Sequence, residues 1–320
     1  MQNKCFSVIA EFLAQLQKYM SPKLKMWYNY SVNLTRKEVS FMKLIDCHTH
    51  STNSPDGYSS PENMLKTAVE KDYAAYALTD HCEVNRWFSI EHYGAAPNGY
   101  DTYDFGADFE KSMKENTALK EKYAGKINFL CGIELGQATH DFGLSEAIVK
   151  DKRLDFVIGS MHQLPDNDDF AFIDFSKHSV PELLEKYYNE VYKLCKWGKF
   201  DVLGHLTYTL RYIEGDNGIK VDMSPYEEII RESFKILIAN GKGIEINTSG
   251  LRQNYGQTFP NLYWVKMFKD MGGEVLSLGS DAHKTEDLGK GIAEGAEIAK
   301  AAGFEHLCYF KERKPNFVKI

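Results

Sequence analysis

The sequence lacks several features that would assign a 320-residue chain to a common class. It has no run of about 18 apolar residues, which argues against a membrane span, and its N-terminal residues lack the cleavage pattern of a signal peptide. Its net charge of −7 gives no basic field of the kind that attracts nucleic acids. We therefore expect neither a membrane nor a nucleic-acid partner.

The sequence also lacks paired-cysteine motifs and glycine-rich phosphate-binding motifs. The six cysteines form no C-x-x-C pair, so neither a thiolate zinc site nor a disulfide framework is indicated. Most of them lie in apolar runs, which is typical of small buried side chains in a reducing cytoplasm. Neither G-x-G-x-x-G nor G-x-x-x-x-G-K-[ST] occurs, which removes the main support for a nucleotide-binding doubly wound fold.

What the sequence does contain is a regular alternation of short β-type runs and helical patterns. The predicted strands are residues 44–47, 74–79, 128–133, 155–159, 201–204, 243–246 and 274–278. The predicted helices are residues 61–71, 108–123, 144–150, 181–197, 225–240, 261–271 and 290–302. Seven strands alternating with helices favour an α/β fold with a parallel sheet, closed as a βα barrel. In such barrels the chemistry lies at the C-terminal ends of the strands.

The first 41 residues differ in character from the rest. They combine a weak amphipathic stretch with a polar, basic segment, and strand-like sequence starts only at Met42. Our hypothesis is that residues 1–41 are a disordered extension or a start-site artefact and that residues 42–320 form the barrel domain. The alternative is an N-terminal helix that packs on the domain.

Histidine and carboxylate side chains recur where the predicted strands end. They are His48, His50, His81, Glu134, His162, His205, Asp281 and His283, and Asp56 follows shortly after the first of these strands. A single histidine after a strand is usually structural, but six of the ten histidines lie at such ends. His48 and His50 alternate along one strand and therefore point to the same face. The pattern predicts a metal cluster.

The types of these nine residues indicate the chemistry. Imidazole and carboxylate without thiolate suit zinc, manganese or iron at a partly open catalytic site. Nine ligands are too many for one ion and suit two or three. Several divalent ions carry more charge than three carboxylates and a bridging hydroxide can neutralise, and this surplus suits a phosphate dianion. The ions would also lower the pKa of the bridging water and so produce the nucleophile. The sequence identifies no proton donor for the leaving group.

These motifs resemble those of the PHP (polymerase and histidinol phosphatase) superfamily from about Met42 to the C-terminus. The segments SPDG, GSMHQ, EINTSGLR and GSDAH look most like the monofunctional histidinol-phosphatase branch. That resemblance implies a trinuclear site on a distorted (β/α)7 barrel. Many relatives outside the branch have histidine where Asp56 stands, which leaves the second metal less well defined.

The resemblance also implies roles for individual residues. One ion would bind His48, His50, Glu134 and Asp281, a second Asp56, His81 and His283, and a third His162 and His205, with Glu134 bridging the first and third. Arg211 and Arg252 would hold the phosphate, since guanidinium matches phosphate oxygens in pairs. The alternative for each arginine is an ordinary surface ion pair.

The implied activity is hydrolysis of L-histidinol phosphate to L-histidinol and phosphate in histidine biosynthesis, by a monomer or a homo-oligomer. The long insert 83–109, with Trp87, Tyr93, Tyr100 and Tyr103, is either a substrate-binding lid or a plain aromatic loop. Other activities stay open. A related phosphoesterase could act on a nucleotide or another small ester, and a non-catalytic metal-binding domain is the alternative of another class. An amidohydrolase is disfavoured because no strand lysine is suited to carbamylation.

Overall fold

The computed structural model describes residues 45–85 and 105–320. Residues 1–44, which contain the predicted domain boundary, and residues 86–104, which contain the aromatic insert, lie outside this range. The central sheet consists of β1 (Ile45–Asp46), β2 (Ala75–Leu78), β3 (His81–Glu83), β4 (Phe129–Gly136), β5 (Phe156–Ser160), β6 (Val202–Leu203), β7 (Gly243–Asn247) and β8 (Leu276–Gly279).

All pairs in this sheet are parallel, and the main path runs β1, β2, β4, β5, β6, β7, β8. The path curves into a nearly closed barrel, because the residues after β1 contact those after β8. Thr49 forms a parallel bridge with Ala282, and the Cys47 N–H donates to Leu278 O at 2.9 Å. The predicted distorted (β/α)7 barrel is confirmed.

Helices follow the strands and pack on the outside of the barrel. They are α1 (Pro61–Glu70), α2 (Phe105–Lys122), α3 (Phe142–Val149), α4 (Val180–Trp197), α5 (Glu227–Ala239), α6 (Leu262–Asp270) and α7 (Ile292–Ala301). All seven predicted helices are present, with ends displaced by a few residues. The start of α1 is set by the Ser60 side chain, which accepts from the Asn63 N–H at 3.3 Å, and by Pro61 in the first turn.

The core lies between the sheet and these helices. Met64 and Leu65 of α1 are fully buried against Tyr76 and Leu78 of β2. Burial of each such side chain stabilises the fold by roughly 1.5–3 kcal/mol. Five free cysteines in the described residues are buried and none forms a disulfide there, as expected for small core side chains. Within residues 45–85 and 105–320, no helix is both long and apolar enough to cross a bilayer.

Three strands were not predicted from the sequence. β3 follows a break after β2 and pairs with β4, so Glu83, which the sequence analysis placed in the aromatic insert, belongs to a strand. β9 (His306–Lys311) and β10 (Lys314–Lys319) form an antiparallel hairpin. Its turn is fixed by Asp155, which accepts from the Glu312 N–H at 3.0 Å, and by Asp201, which accepts from Arg313 Nε at 2.6 Å. Since both aspartates precede strands, the hairpin covers the N-terminal end of the barrel.

Candidate metal centre

The barrel brings all nine predicted ligands to its C-terminal end. His48 and His50 follow β1, His162 follows β5, His205 follows β6, and Asp281 and His283 follow β8. His81 begins β3, and Asp56 lies in the loop between β1 and α1. Glu134 does not end its strand as predicted, because β4 continues to Gly136.

Glu134 lies at the centre of the cluster and is fully buried. Its Oε2 is 3.3 Å from His48 Nε2, 3.4 Å from His50 Nε2 and 3.1 Å from His81 Nδ1. Its Oε1 is 3.1 Å from His162 Nε2 and 2.6 Å from His205 Nε2. One carboxylate therefore faces two separate groups of imidazoles, which is the geometry of a bridging ligand.

A first group of ligand atoms surrounds one point on the β1 and β8 side. His48 Nε2 and His50 Nε2 are 3.1 Å apart, and Asp281 Oδ1 is 3.8 Å and 3.4 Å from them, respectively. With Glu134 Oε2 this gives two imidazoles and two carboxylates, a donor set that suits a divalent transition metal.

A second group lies nearer the cavity. His283 Nε2 is 3.0 Å from Asp56 Oδ2, and His81 Nε2 is 3.7 Å from Asp56 Oδ1. The His50 ring stacks against both imidazoles, with centroids 4.3 Å from His81 and 4.2 Å from His283. His50, His81 and His283 can also direct one nitrogen each to a common point. His50 thus contacts both the first and the second group.

The third group contains a residue that the sequence analysis missed. His162 Nε2 and His205 Nε2 are 3.2 Å apart, and both face Glu134 Oε1. Glu83 Oε1 lies 3.2 Å from His162 Nδ1 and 3.0 Å from His81 Nδ1, and these three residues form a further potential metal-binding group. Glu83 was assigned to the insert because the short strand that carries it gives no readable alternation.

The histidine tautomers show that a cation suits this cluster. His48 Nδ1 lies 2.7 Å from Glu245 Oε1, so that nitrogen carries a proton. His50 Nδ1 lies 3.1 Å from Ser54 Oγ, whose own hydrogen is donated to Asp80. Both Nε2 lone pairs therefore face each other at 3.1 Å, which requires a proton or a metal ion between them.

Buried polar atoms without a hydrogen bond support the same conclusion. Glu134 Oε2, His81 Nδ1 and His283 Nε2 have charged neighbours but no hydrogen bond of acceptable geometry. Buried polar groups are rarely left in this state unless an ion or a water completes them. The donor types and these atoms fit divalent cations.

The charges of the clustered side chains strongly influence one another's pKa values. Burial lowers the pKa of His162, but Glu83 and Glu134 outweigh it and raise that pKa to about 10. Burial also opposes the charge on His48, yet Glu245, Glu134 and Asp281 raise its pKa well above the usual value. Conversely, burial raises the pKa of Glu134, but the neighbouring imidazoles hold it well below its normal range. The carboxylates thus stabilise protons at the positions where cations would lie.

Glu245 and two glycines hold this arrangement in place. Glu245 is buried in β7; its Oε1 contacts His48 and its Oε2 accepts from the His205 N–H at 3.0 Å. A side chain at Gly279 would collide with the Cβ of His48, and one at Gly136 would collide with the Glu83 carboxylate. Glu245 was missed, although a glutamate between two isoleucines in a buried strand is a signal that could have identified it.

The two predicted phosphate-binding arginines lie in different surroundings. Arg211 lines a cavity of about 400 Å³ next to the ligands, and its guanidinium lies 4.9 Å from the Tyr212 ring centroid. It begins a π-helical turn (Arg211–Asp216), a feature frequent at functional sites. Arg252 is not among the residues that line this cavity. It donates to Ser280 O at 2.6 Å and Asp281 O at 2.7 Å.

The contacts of Arg252 stabilise the backbone of Asp281, one of the candidate metal ligands. Asp281 has a φ of 54°, a left-handed conformation that is unfavourable for aspartate compared with glycine. The guanidinium of Arg252 satisfies the carbonyls on both sides of this residue's α-carbon. Arg252 thus positions Asp281, and its predicted contact with phosphate stays a prediction.

A parallel barrel with imidazoles and carboxylates grouped at its C-terminal end defines a class of metal-dependent hydrolases. The chain matches the family model "PHP domain" over residues 46–249. Because this match covers more than half of the sequence, the chain belongs to the PHP domain family.

Individual relatives extend the comparison over most of the chain. A probable histidinol-phosphatase of Thermotoga maritima is 28% identical over 266 residues, which is 82% of this chain and 94% of the relative. A histidinol-phosphatase of Lactococcus lactis is 24% identical, over 85% of this chain and 96% of the relative. The crystal structure of histidinol phosphate phosphatase from L. lactis, complexed with zinc, L-histidinol and phosphate, shares the fold with a TM-score of 0.68. It is 22% identical and covers 86% of this chain and 99% of its own.

Proposed function

We propose that this chain is a phosphoric monoester hydrolase that converts L-histidinol phosphate to L-histidinol and phosphate, a step of histidine biosynthesis. The observation that carries the proposal is the bridging position of Glu134 between two imidazole groups beside the Arg211 cavity. The relatives that are histidinol-phosphatases, aligned over more than four-fifths of the chain, support this choice of substrate.

The proposed cofactors are two or three divalent ions of zinc, manganese or iron. His48, His50, Glu134 and Asp281 would hold the first, and Asp56, His81 and His283 the second. His162, His205 and Glu134 would hold the third, with Glu83 as an added candidate ligand. When bound, such ions supply Lewis-acid stabilisation of the phosphoryl oxygens and activate water at neutral pH.

The chain's own residues bind and orient the ester. Arg211 places a permanent positive charge in the cavity lining, and its planar guanidinium can pair with two phosphate oxygens. Its position over the Tyr212 ring restricts that side chain and reduces the entropy lost on binding. In the net reaction, water attacks phosphorus in line and the bond to the alcohol oxygen breaks. The alkoxide takes a proton, and the products are the alcohol and inorganic phosphate.

A phosphate-release screen tests the proposal. Purified protein supplied with Mn²⁺ or Zn²⁺ should release phosphate from L-histidinol phosphate well above the rate for nucleotides and sugar phosphates. His81→Ala, which removes a proposed ligand, should abolish nearly all turnover, whereas Lys66→Ala on the exposed face of α1 should not change it. Equal rates on all esters would refute the substrate assignment, and full activity of His81→Ala would refute the ligand assignment.

A further inference from the structure

Asp80 is a buried carboxylate beside the metal centre that belongs to none of the potential metal-binding groups in the described part of the chain. It is 2% exposed, and its Oδ1 accepts from the Ser51 N–H at 2.7 Å, from Ser51 Oγ at 2.9 Å and from Ser54 Oγ at 3.1 Å. Its Oδ2 accepts from Ser112 Oγ at 2.7 Å. Four hydrogen bonds therefore fix the position and the orientation of this carboxylate.

The contact between Asp80 and Ser54 determines where the proton of His50 lies. The Ser54 hydroxyl has one hydrogen and two lone pairs. Its oxygen is 3.1 Å from Asp80 Oδ1, 3.0 Å from the His81 backbone nitrogen and 3.1 Å from His50 Nδ1. The His81 N–H can only donate and the Asp80 carboxylate accepts, so the Ser54 hydrogen goes to Asp80. Both lone pairs of Ser54 then accept, and His50 carries its proton on Nδ1 and presents Nε2 to a cation.

His48 and His50 thus have two versions of the same support. His48 Nδ1 donates directly to Glu245 at 2.7 Å, whereas His50 Nδ1 is connected to Asp80 through the Ser54 hydroxyl. A metal-binding imidazole commonly donates its second N–H to a carboxylate, a carbonyl or a water, and this contact fixes the ring. Because Asp80 also accepts from both donors of the residue after His50, it holds the backbone that carries the ring as well.

Helix α2 presents a buried polar stripe that holds Asp80 in turn. Ser112 and Asn116, one helical turn apart, are 2% and 0% exposed. Ser112 Oγ donates to Asp80 Oδ2 and accepts from Asn116 Nδ2 at 3.1 Å. Beside them Glu115 Oε2 accepts from Asn53 Nδ2 at 3.0 Å, in the loop that carries the two serines. The inward face of a helix is normally apolar, so this stripe indicates a support for the polar loop rather than core packing.

We propose that Asp80 is a positioning residue of the metal centre, which acts through Ser54 to keep His50 in its metal-binding tautomer. This inference rests on the proposed function only in requiring that the site binds divalent ions. Without the Ser54 hydroxyl, the buried Nδ1–H of His50 has no acceptor. Without Asp80, the Ser54 hydrogen turns towards Nδ1, and the imidazole proton moves to Nε2, the atom that faces the cation.

The affinity for Zn²⁺ tests this role without requiring turnover. It is measured on the full-length protein, freed of metal by chelation, through competition with a chromophoric chelator. Ser54→Ala and Asp80→Ala should each weaken Zn²⁺ binding about 10–100-fold. Ser54→Thr keeps the hydroxyl and should bind Zn²⁺ nearly as tightly as the wild type. The matched control is Ser176→Ala, because Ser176 Oγ donates to Asp174 at 2.6 Å on the exposed surface, and its Zn²⁺ affinity should be unchanged.

A double-mutant cycle separates positioning from a general structural role. Because Asp80 acts through Ser54, the variant with both alanines should lose no more Zn²⁺ affinity than the more affected single variant, within about 2-fold. Losses that multiply would overturn the proposal, since independent structural contributions add in free energy. Wild-type Zn²⁺ affinity in Ser54→Ala would also overturn it, and this result is decisive even if Asp80→Ala fails to fold. The predicted Zn²⁺ affinities in a protein that hydrolyses no L-histidinol phosphate would refute the proposed function and leave the role of Asp80 standing.

Discussion

Glu245→Gln is the substitution that examines the support of the metal centre most closely. Both carboxylate oxygens of Glu245 accept hydrogen bonds, Oε1 from His48 Nδ1 at 2.7 Å and Oε2 from the His205 N–H at 3.0 Å. The glutamine side chain has one accepting oxygen and one donating NH2 group. In either orientation the NH2 group would face an N–H donor, either His48 Nδ1 or the His205 amide. If the NH2 faces His48, the imidazole must move its proton to Nε2 and can no longer bind a metal through that atom.

The expected magnitude follows from these two contacts. Loss of a carboxylate that orients a metal-binding imidazole typically costs about 10–100-fold in metal affinity, which corresponds to about 1.4–2.8 kcal/mol. The alternative orientation leaves the buried His205 N–H unpaired and lowers the free energy of unfolding by about 1–3 kcal/mol. Glu245 is 1% exposed, so water cannot relieve either mismatch.

The assay combines metal analysis with thermal unfolding. Metal per chain is measured by mass spectrometry after dialysis, affinity by competition with a chromophoric chelator, and Tm with and without added metal. Glu227→Gln serves as the control, because Glu227 pairs with Arg231 on the surface of α5. A Glu245→Gln protein with wild-type metal affinity and wild-type Tm would refute the reasoning.

Three further predictions concern protons, space and charge. Because the pKa of His162 is raised from 6.5 to about 10 without metal, metal uptake near neutral pH should release protons, and calorimetry in buffers of different ionisation enthalpy should detect them. The proton on His162 stabilises the protein from which metal has been removed, and this stabilisation is complete below pH 6.5. The Tm of that protein should therefore fall as pH rises towards about 10, and a rising Tm would contradict this. Gly136→Ala should displace the Glu83 carboxylate and weaken metal binding about 10-fold with the circular dichroism unchanged; wild-type affinity would count against a role for Glu83. Arg211→Ala should raise KM about 10–100-fold at constant metal content, whereas Arg252→Ala should lower metal content; a pure KM effect in both would instead make Arg252 a phosphate ligand.

The sequence predicts the barrel, and the placement of the candidate ligands at its C-terminal end, because both depend on local patterns. Strand-helix alternation and residues such as His162 and His205 directly after apolar runs can be read without knowing any long-range contact. Spacing and charge alone indicate a multinuclear phosphoesterase on a closed barrel, and family resemblance adds the trinuclear site and the substrate.

The rest of the site depends on contacts between distant segments. Glu245 contacts His48 across 197 positions; its place between two isoleucines marks a buried carboxylate but does not show which residue that carboxylate contacts. Glu83 follows a break in the sheet, and its strand has three residues, too few to show an alternation. The resemblance implied a phosphate contact for Arg252, whereas its guanidinium contacts the backbone carbonyls of Ser280 and Asp281. Sequence position therefore predicts which end of the barrel a side chain occupies but not which atoms it contacts.

The most direct test of the central claim is a metal titration of the stripped protein with L-histidinol phosphate as substrate. The account predicts no phosphate release from the stripped protein and a rise to a plateau as about two to three equivalents of Mn²⁺ or Zn²⁺ are bound. Metal content measured on the same samples should increase in parallel with the rate. Full hydrolysis of L-histidinol phosphate by protein shown to contain no metal would contradict the account.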